Sequence, residues 1–437
     1  MQIPLSSTIA SSRSAVSPIP LEGSSFSLGI WALAGLFGGE HALSATGTIP
    51  LYKQRRWLGW YNSPGSYVVA MRYGSLAKSS LFSGLFPGRR TEPTTLLEID
   101  GRKGPKFRAA HSGTVMEETS HPGTLFVERC NEMQGVAIDG RVTRRVGVTI
   151  AQLEHTPALE VSSKVDPSCL SVFASIPILV SASTCVMCAM VHDWYSFSTI
   201  LLGMLVNGIS CAVLGSGSFF FTHPGPAQGS PPGDGVLFAE KEIVVLKGEE
   251  GAVNAITRGN FGLRFATEPY FHDIGWCSVL LLLQFIAQLV LVPQSTLFGQ
   301  IMFVISLVVS WAYNVWLSSF DKEKIQRDLL INEVLQQPKL HKYILGTRTS
   351  MAVFVLLACG SQKVEQLMDD LLPNNTKVWM QWKASVINRL REGGNLVFQP
   401  SDWADPSLSG EERALLETLY KDAQSAYKGF MASHHSS

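Results

Sequence analysis

From Ile274 to Phe320 the chain carries no Asp, Glu, Lys, Arg or His. This run is about twice the roughly 20 apolar residues that cross a bilayer as one helix, and Pro293-Gln294-Ser295 stands near its middle. The pattern predicts two membrane helices joined as a hairpin. Upstream, Pro167 to Val191 and Trp194 to Phe221 are likewise uncharged and are separated only by His192-Asp193. Inside a bilayer each backbone amide must be satisfied within its own segment, so both stretches are expected as helices. The expectation is four spans in two tight hairpins.

Two weaker apolar runs are not counted. Gly23 to Gly39 is uncharged but interrupted by Gly29, Gly35, Gly38 and Gly39, and Thr349 to Gln362 is too short to span. Composition leaves open whether the first adds a span. It does not read as a cleaved signal peptide, because its apolar part begins far from Met1 and only Arg13 supplies positive charge before it. The first 22 residues are rich in Ser and lack a periodic apolar face, which predicts disorder.

The soluble stretches carry shorter periods. Thr95 to Ile99 leads into Asp100-Gly101, and Gly135 to Ile138 leads into Asp139-Gly140 before Arg141-Val142-Thr143. Asp-Gly suits a tight hairpin turn, so both are expected as strand turns in one small sheet domain, with Ser79 to Pro93 as a loop. Val236-Leu237-Phe238 and Ile243 to Leu246 read as further strands. After Phe320 the pattern turns helical: an apolar stripe from Ile325 to Leu335 ends before Pro338, and helices follow over Val364 to Leu372, Thr376 to Arg391 and Glu411 to Ala432. Ser409 and Glu412 have capping-box spacing at the start of the last one. The Trp379 and Trp382 face of the Thr376 to Arg391 helix packs internally or docks a protein partner.

The chain therefore divides into a disordered or weakly apolar segment (1–45), a β-rich soluble domain (46–165), a first transmembrane hairpin (166–221), a strand-containing connector (222–273), a second hairpin (274–320) and a helical C-terminal region (321–437). The fold class is an α-helical membrane core of four spans with a cytosolic α+β portion.

Charge adds orientation. The formal net charge is +0, charged residues make up 16% and mean hydropathy is +0.16, the average of an apolar membrane half and ordinary soluble segments. The tips at His192-Asp193 and Pro293-Gln294-Ser295 carry no Lys or Arg. Lys241, Lys247, Arg258 and Arg264 lie between the hairpins, and Lys322, Lys324 and Arg327 follow the last span. The positive-inside bias then puts both tips outside or in a lumen and the soluble parts in the cytosol, where the sequon Asn374-Asn375-Thr376 would go unused. The sequence does not name the organelle.

His41 to Thr114 holds eleven Lys or Arg against Glu92, Glu98 and Asp100. Lys53, Arg55, Arg56, Arg89 and Arg90 are expected to face anionic lipid head groups, at about 1 kcal/mol per well-placed cation. The alternative is a solvated face balanced by acids elsewhere. Trp57, Trp60 and Tyr61 cluster there without a nucleic-acid-binding pattern, so nucleic acid is not an expected partner.

Candidate chemistry is sparse. The seven cysteines form no disulfide framework; Cys185 and Cys188 read as small packing residues, and Cys169 and Cys277 as weak candidates for acylation. The glycines from Lys247 to Leu263 lack Walker spacing, and Glu249 and Glu250 would repel a phosphate. His192-Asp193 and His223, His272 and Asp273 fall on opposite sides of the membrane and serve as interfacial caps more readily than as metal ligands. No catalytic residue, metal or cofactor is assigned, and the balance leans away from an enzyme. Inside the spans stand only uncharged polar groups: Asn207, Gln284, Gln288, Gln300, Ser306, Ser310 and Asn314. An antiparallel hairpin would bring Gln288 opposite Gln300 and Gln284 opposite Ser306, as hydrogen bonds between helices or as the lining of a solute path.

Phe221-Thr222-His223-Pro224, Ser230 to Gly235, Ile243 to Gly259, Ser310 to Asn314 and Asp321 to Arg327 together resemble a group of uncharacterised fungal multi-pass membrane proteins. The resemblance covers roughly Trp194 to Asp370. It implies membrane localisation and brings no activity, ligand or site residue. The expected function is that of a non-enzymatic scaffold or regulator at the cytosolic membrane face, with a small-solute channel or transporter subunit as the alternative.

Overall fold

The computed structural model describes residues 36–87, 92–162, 170–360, 363–393 and 395–434. The chain folds as two compact units, each drawn from three separate stretches. One takes Met1–Glu92, Asp166–Gly217 and Phe265–Phe320; the other takes Pro93–Val165, Ser218–Arg264 and Asp321–Ser437. The expected N-terminal disorder and most of the Gly23 to Gly39 run lie outside the described residues.

The first unit is helical. Four helices, Leu170–Met190, Trp194–Leu214, His272–Leu291 and Leu297–Ser318, are long and apolar enough to cross a membrane. Pro177 sits inside the first, a position that membrane helices tolerate. Asp193 caps the second span by accepting a hydrogen bond from Ser196 N at 3.1 Å, and Thr296 caps the fourth by accepting from Gly299 N at 3.2 Å. Asp193 also accepts from Thr296 N (2.9 Å) and Thr296 Oγ1 (2.6 Å), so one carboxylate ties the two tips together.

Two features of this unit correct the sequence reading. Residues 46–87 do not belong to a β-rich soluble domain. They contribute the helices Ser66–Gly74 and Ser80–Leu85, which with Gly39–Thr46 belong to the helical unit. The second hairpin is also not a tight pair. Gly39–Thr46 packs on the fourth span and Ser66–Gly74 on the third, while the third span packs mainly on the second and the fourth on the first.

The second unit is an α/β body with ten strands among the described residues: β1 (Lys106–Ala109), β2 (Val115–Met116), β3 (Val136–Ala137), β4 (Val146–Leu153), β5 (Glu160–Val161), β6 (Ser218–Thr222), β7 (Gly235–Phe238), β8 (Glu242–Gly248), β9 (Asn260–Arg264) and β10 (Lys339–Leu345). Seven form a mixed sheet in the order β2-β1-β7-β8-β4-β10-β3, with β8 parallel to β4 and β3 parallel to β10. The others form a small sheet, β5-β6-β9, around Phe219, Phe221 and Phe261.

Alternation along the large sheet explains its two layers. Val148, Val236, Ile243 and Val245 join one buried cluster with the helix Arg348–Cys359. That helix takes up Thr349 to Cys359 of the apolar run noted in the sequence, and Val353, Phe354 and Val355 on it are fully buried, each contributing about 1.5–3 kcal/mol. Val364–Leu371, Lys377–Arg391 and Gly410–His434 complete the layer, with Trp382 buried in it. Trp379 packs against the same cluster, so this face packs internally, the first of the two readings given for it.

β7 and β8 fulfil the strand expectation around residues 236–246. Asp100-Gly101 and Asp139-Gly140 do not turn hairpins. Thr95 and Leu96 lie in the short helix Pro93–Leu96, and Asp100 accepts hydrogen bonds from Gly101 N (2.6 Å) and Phe261 N (3.1 Å). Val136–Ala137 pairs instead with β10, which lies within the C-terminal region expected as helical, in a stretch given no element of its own. The glycine-rich stretch after Lys247 contains the helix Glu250–Thr257, not a phosphate loop.

Candidate functional site

The site is the polar interior of the helical unit. Its organising element is the loop 59–65, which enters among the spans between the 3₁₀ turn Arg55–Trp57 and the helix Ser66–Gly74. Asn207 Nδ2, on the second span, donates to Gly59 O (2.7 Å) and Tyr61 O (3.2 Å). On the fourth span, Asn314 Oδ1 accepts from Tyr61 Oη at 2.8 Å while its Nδ2 donates to Ser63 Oγ at 3.1 Å. Asn62 goes deepest: its Nδ2 donates to Ser306 Oγ (2.9 Å) and its backbone N to Ser181 Oγ (3.1 Å). A loop among apolar helices must satisfy its own polar groups, and the asparagines and serines of these helices do so here.

Glycines on the second span make room for it. A Cβ at Gly203 would come within 2.0 Å of Asn62 Oδ1, and one at Gly208 within 2.3 Å of the Trp60 ring. Both positions therefore require the close approach that only glycine permits.

The polar residues singled out from the sequence are thus buried together, with other partners than expected. Gln300 Nε2 donates to Ser295 O (3.1 Å) and Val292 O (3.4 Å), carbonyls of the turn at Pro293, and not to Gln288. Ser306 is taken by Asn62. The side-chain amides of Gln284 and Gln288, 1% and 2% exposed, have no hydrogen-bond partner, and neither has the Ser310 hydroxyl. The physical reason is the wedge formed by residues 39–74, which engages the third and fourth spans and separates them.

The basic residues also divide. Lys53 and Arg56 are exposed, with the Arg56 guanidinium 4.9 Å over the Trp57 ring. Arg55 does not face lipid head groups: it is 1% exposed, inside the unit, and its Nε and Nη1 have no partner. No local signal separates it from Lys53 and from Arg56, which stands between it and Trp57. Arg89 and Arg90 lie outside the described residues. In the second unit the basic stretch is balanced by acids: Arg102 pairs with Glu128 and Glu323, Lys103 with Glu118, Lys106 with Glu117 and Arg108 with Asp370.

Arg55 borders a cavity of about 20 Å³ whose wall includes Tyr61, Ser63, Ser66, Tyr73, Asn207, Ser210 and Asn314. No acidic side chain lines it. A larger open groove, of about 600 Å³, lies in the α/β unit beside β3 and the end of the last helix.

The His-Asp pairs do other work. Asp193 is the double cap at the tips, His272 stacks on Tyr270 with ring centroids 5.6 Å apart, and His223 lies between the carbonyls of Pro224 and Pro157. Among the described residues no three His, Cys, Asp or Glu side chains come together to hold a metal. The described cysteines are free and buried; in the α/β unit burial pushes the Cys359 thiol up to about 12 and raises that of Cys130 further, which removes the thiolate that cysteine chemistry needs. Cys169 lies outside the described residues.

No protein-family model, curated protein or solved structure matches the chain.

Proposed function

We propose that the chain is a multi-pass integral membrane protein, a non-enzymatic scaffold or regulator whose α/β unit lies at the cytosolic membrane face. The observation that carries the reading is the inverted polarity of the four apolar helices. Their outward positions are Leu179, Val186, Leu205, Leu283, Ile286 and Val308, whereas Gln284, Gln288, Ser306 and Asn314 are buried. A helix bundle in water buries the first kind and exposes the second; hydrocarbon around the bundle reverses the preference. The distribution of Lys and Arg favours tips at residues 192–193 and 293–295 outside, with Arg56 exposed toward anionic lipid.

The scaffold reading is supported by what the intramembrane polar groups are engaged in: they fasten a loop and the span tips. A channel or transporter subunit is the second reading, favoured by the unpartnered amides of Gln284 and Gln288. Impermeant thiol labelling of single cysteines placed at Asp193, Asp234, Gln294 and Ser437 in a cysteine-free background tests the first. Labelling from outside at residues 193 and 294 alone is expected; labelling at 234 and 437 would invert the protein and make Asn374 a glycan site. Solute flux lost in Gln284→Leu or Gln288→Leu, with insertion intact, would select the second reading.

A further inference from the structure

Arg55 poses an unsolved charge problem. A guanidinium does not lose its proton in a protein, and leaving a buried ion uncompensated is strongly unfavourable. The Tyr313 ring, 5.6 Å from the guanidinium carbon, offers only part of the compensation. No carboxylate lines the cavity beside Arg55, and two of the three guanidinium nitrogens have no partner. The Ser66 hydroxyl on the same cavity is also buried without a partner.

We propose that this cavity binds a small monovalent anion of halide size, held by the Arg55 guanidinium and the Ser66 hydroxyl. Three observations fix the class of ligand. A single uncompensated positive charge calls for one negative charge. At about 20 Å³ the cavity takes one water-sized particle or monatomic ion and excludes phosphate esters and carboxylic acids of metabolite size. The unpartnered groups Arg55 Nε, Arg55 Nη1 and Ser66 Oγ can all donate, which selects an anion over a metal cation.

The anion would join the two sides of the loop: Arg55 precedes it and Ser66 follows it. Binding to the folded state alone then makes the stability of the helical unit rise with anion concentration. The inference rests on packing within the helical unit and not on its crossing a bilayer.

The test is thermal unfolding of the purified full-length protein in detergent, at constant ionic strength, in sodium chloride, sodium bromide or sodium gluconate. Chloride and bromide are expected to raise the melting temperature saturably, and gluconate, too large to enter, is expected not to. Ser66→Ala should weaken the chloride dependence about tenfold, the size of one hydrogen bond to a charged group. Arg55→Met should abolish it, and crystals grown in bromide should show an anomalous peak beside Arg55. Equal melting in the three salts would overturn the proposal, as would a chloride response that survives Arg55→Met. If Arg55→Met does not fold, the Ser66→Ala titration and the bromide peak decide. Because these readouts are taken in detergent, they fail independently of the topology labelling.

Discussion

Lys342 Nζ lies 2.8 Å from Glu242 Oε2, joining β10 to β8 across the intervening β4. Thr149, between them on β4, donates its hydroxyl to the same carboxylate, and Lys342 also donates to Cys130 O (2.8 Å) and Asn131 O (3.2 Å) at the end of the helix His121–Glu132. The lysine therefore closes a helix C-terminus and neutralises a buried acid at once. Glu242→Gln or Lys342→Met leaves the remaining charge buried and is expected to cost about 3–5 kcal/mol, whereas the double variant Glu242→Leu/Lys342→Met should recover most of it. Pulse proteolysis of the full-length protein over a denaturant series measures both.

Asp193 predicts a second stability effect at the span tips. Asp193→Ala strips the acceptor from Ser196 N, Thr296 N and Thr296 Oγ1, and a loss on the order of 2–4 kcal/mol is expected. Gly299→Ala should be nearly as harmful, because its Cβ would fall 2.0 Å from the same carboxylate. Melting in detergent micelles reads both; variants that melt like the wild type would show that the tips are held by packing alone.

The loop 59–65 predicts a pair of variants with a shared signature. Gly203→Ala drives a methyl into Asn62 Oδ1, and Asn62→Leu removes the side-chain bond to Ser306. Each should expose the loop to added protease without preventing membrane insertion, a split between proteolysis and carbonate extraction that a misfolded chain would not give.

A pH effect follows from the cap of the last helix. Ser409 N donates to Glu412 Oε2 at 2.8 Å, and Glu412 N to Ser409 Oγ at 3.2 Å. The backbone hydrogen bond from Ser409 holds the Glu412 carboxyl below its ordinary 4.5. A depressed folded value means that the stabilisation is present above the unfolded value and is lost as pH falls through the folded one. The melting difference between wild type and Glu412→Gln should therefore be present at about pH 7 and shrink to nothing in acid below the folded value.

Much of this architecture is legible in the chain because single segments determine it. Four uncharged stretches give four apolar helices, Ser409 and Glu412 give a capping box, and Val236 to Leu246 gives two strands. What is not legible depends on partners distant in sequence. β10 reads as part of a helical region, and its pairing with β4 is a property of the sheet. The polar residues Asn207, Ser306 and Asn314 announce themselves as buried, yet nothing local in them points to a loop some hundred or more residues upstream. Arg55 looks like its neighbours Lys53 and Arg56, and only the packing of Trp60 and Tyr61 among the spans draws it inside.

The three-piece construction of the helical unit also has a consequence for biosynthesis. Asn62 leaves the ribosome 244 residues before its partner Ser306. At about 5–20 residues per second the loop must wait roughly 10–50 s before that partner exists. The second span, which meets Trp60 at Gly208 and holds Gly59 and Tyr61 through Asn207, emerges earlier, so one side of the loop has its partners before the fourth span brings Ser306 to Asn62 and Asn314 to Tyr61.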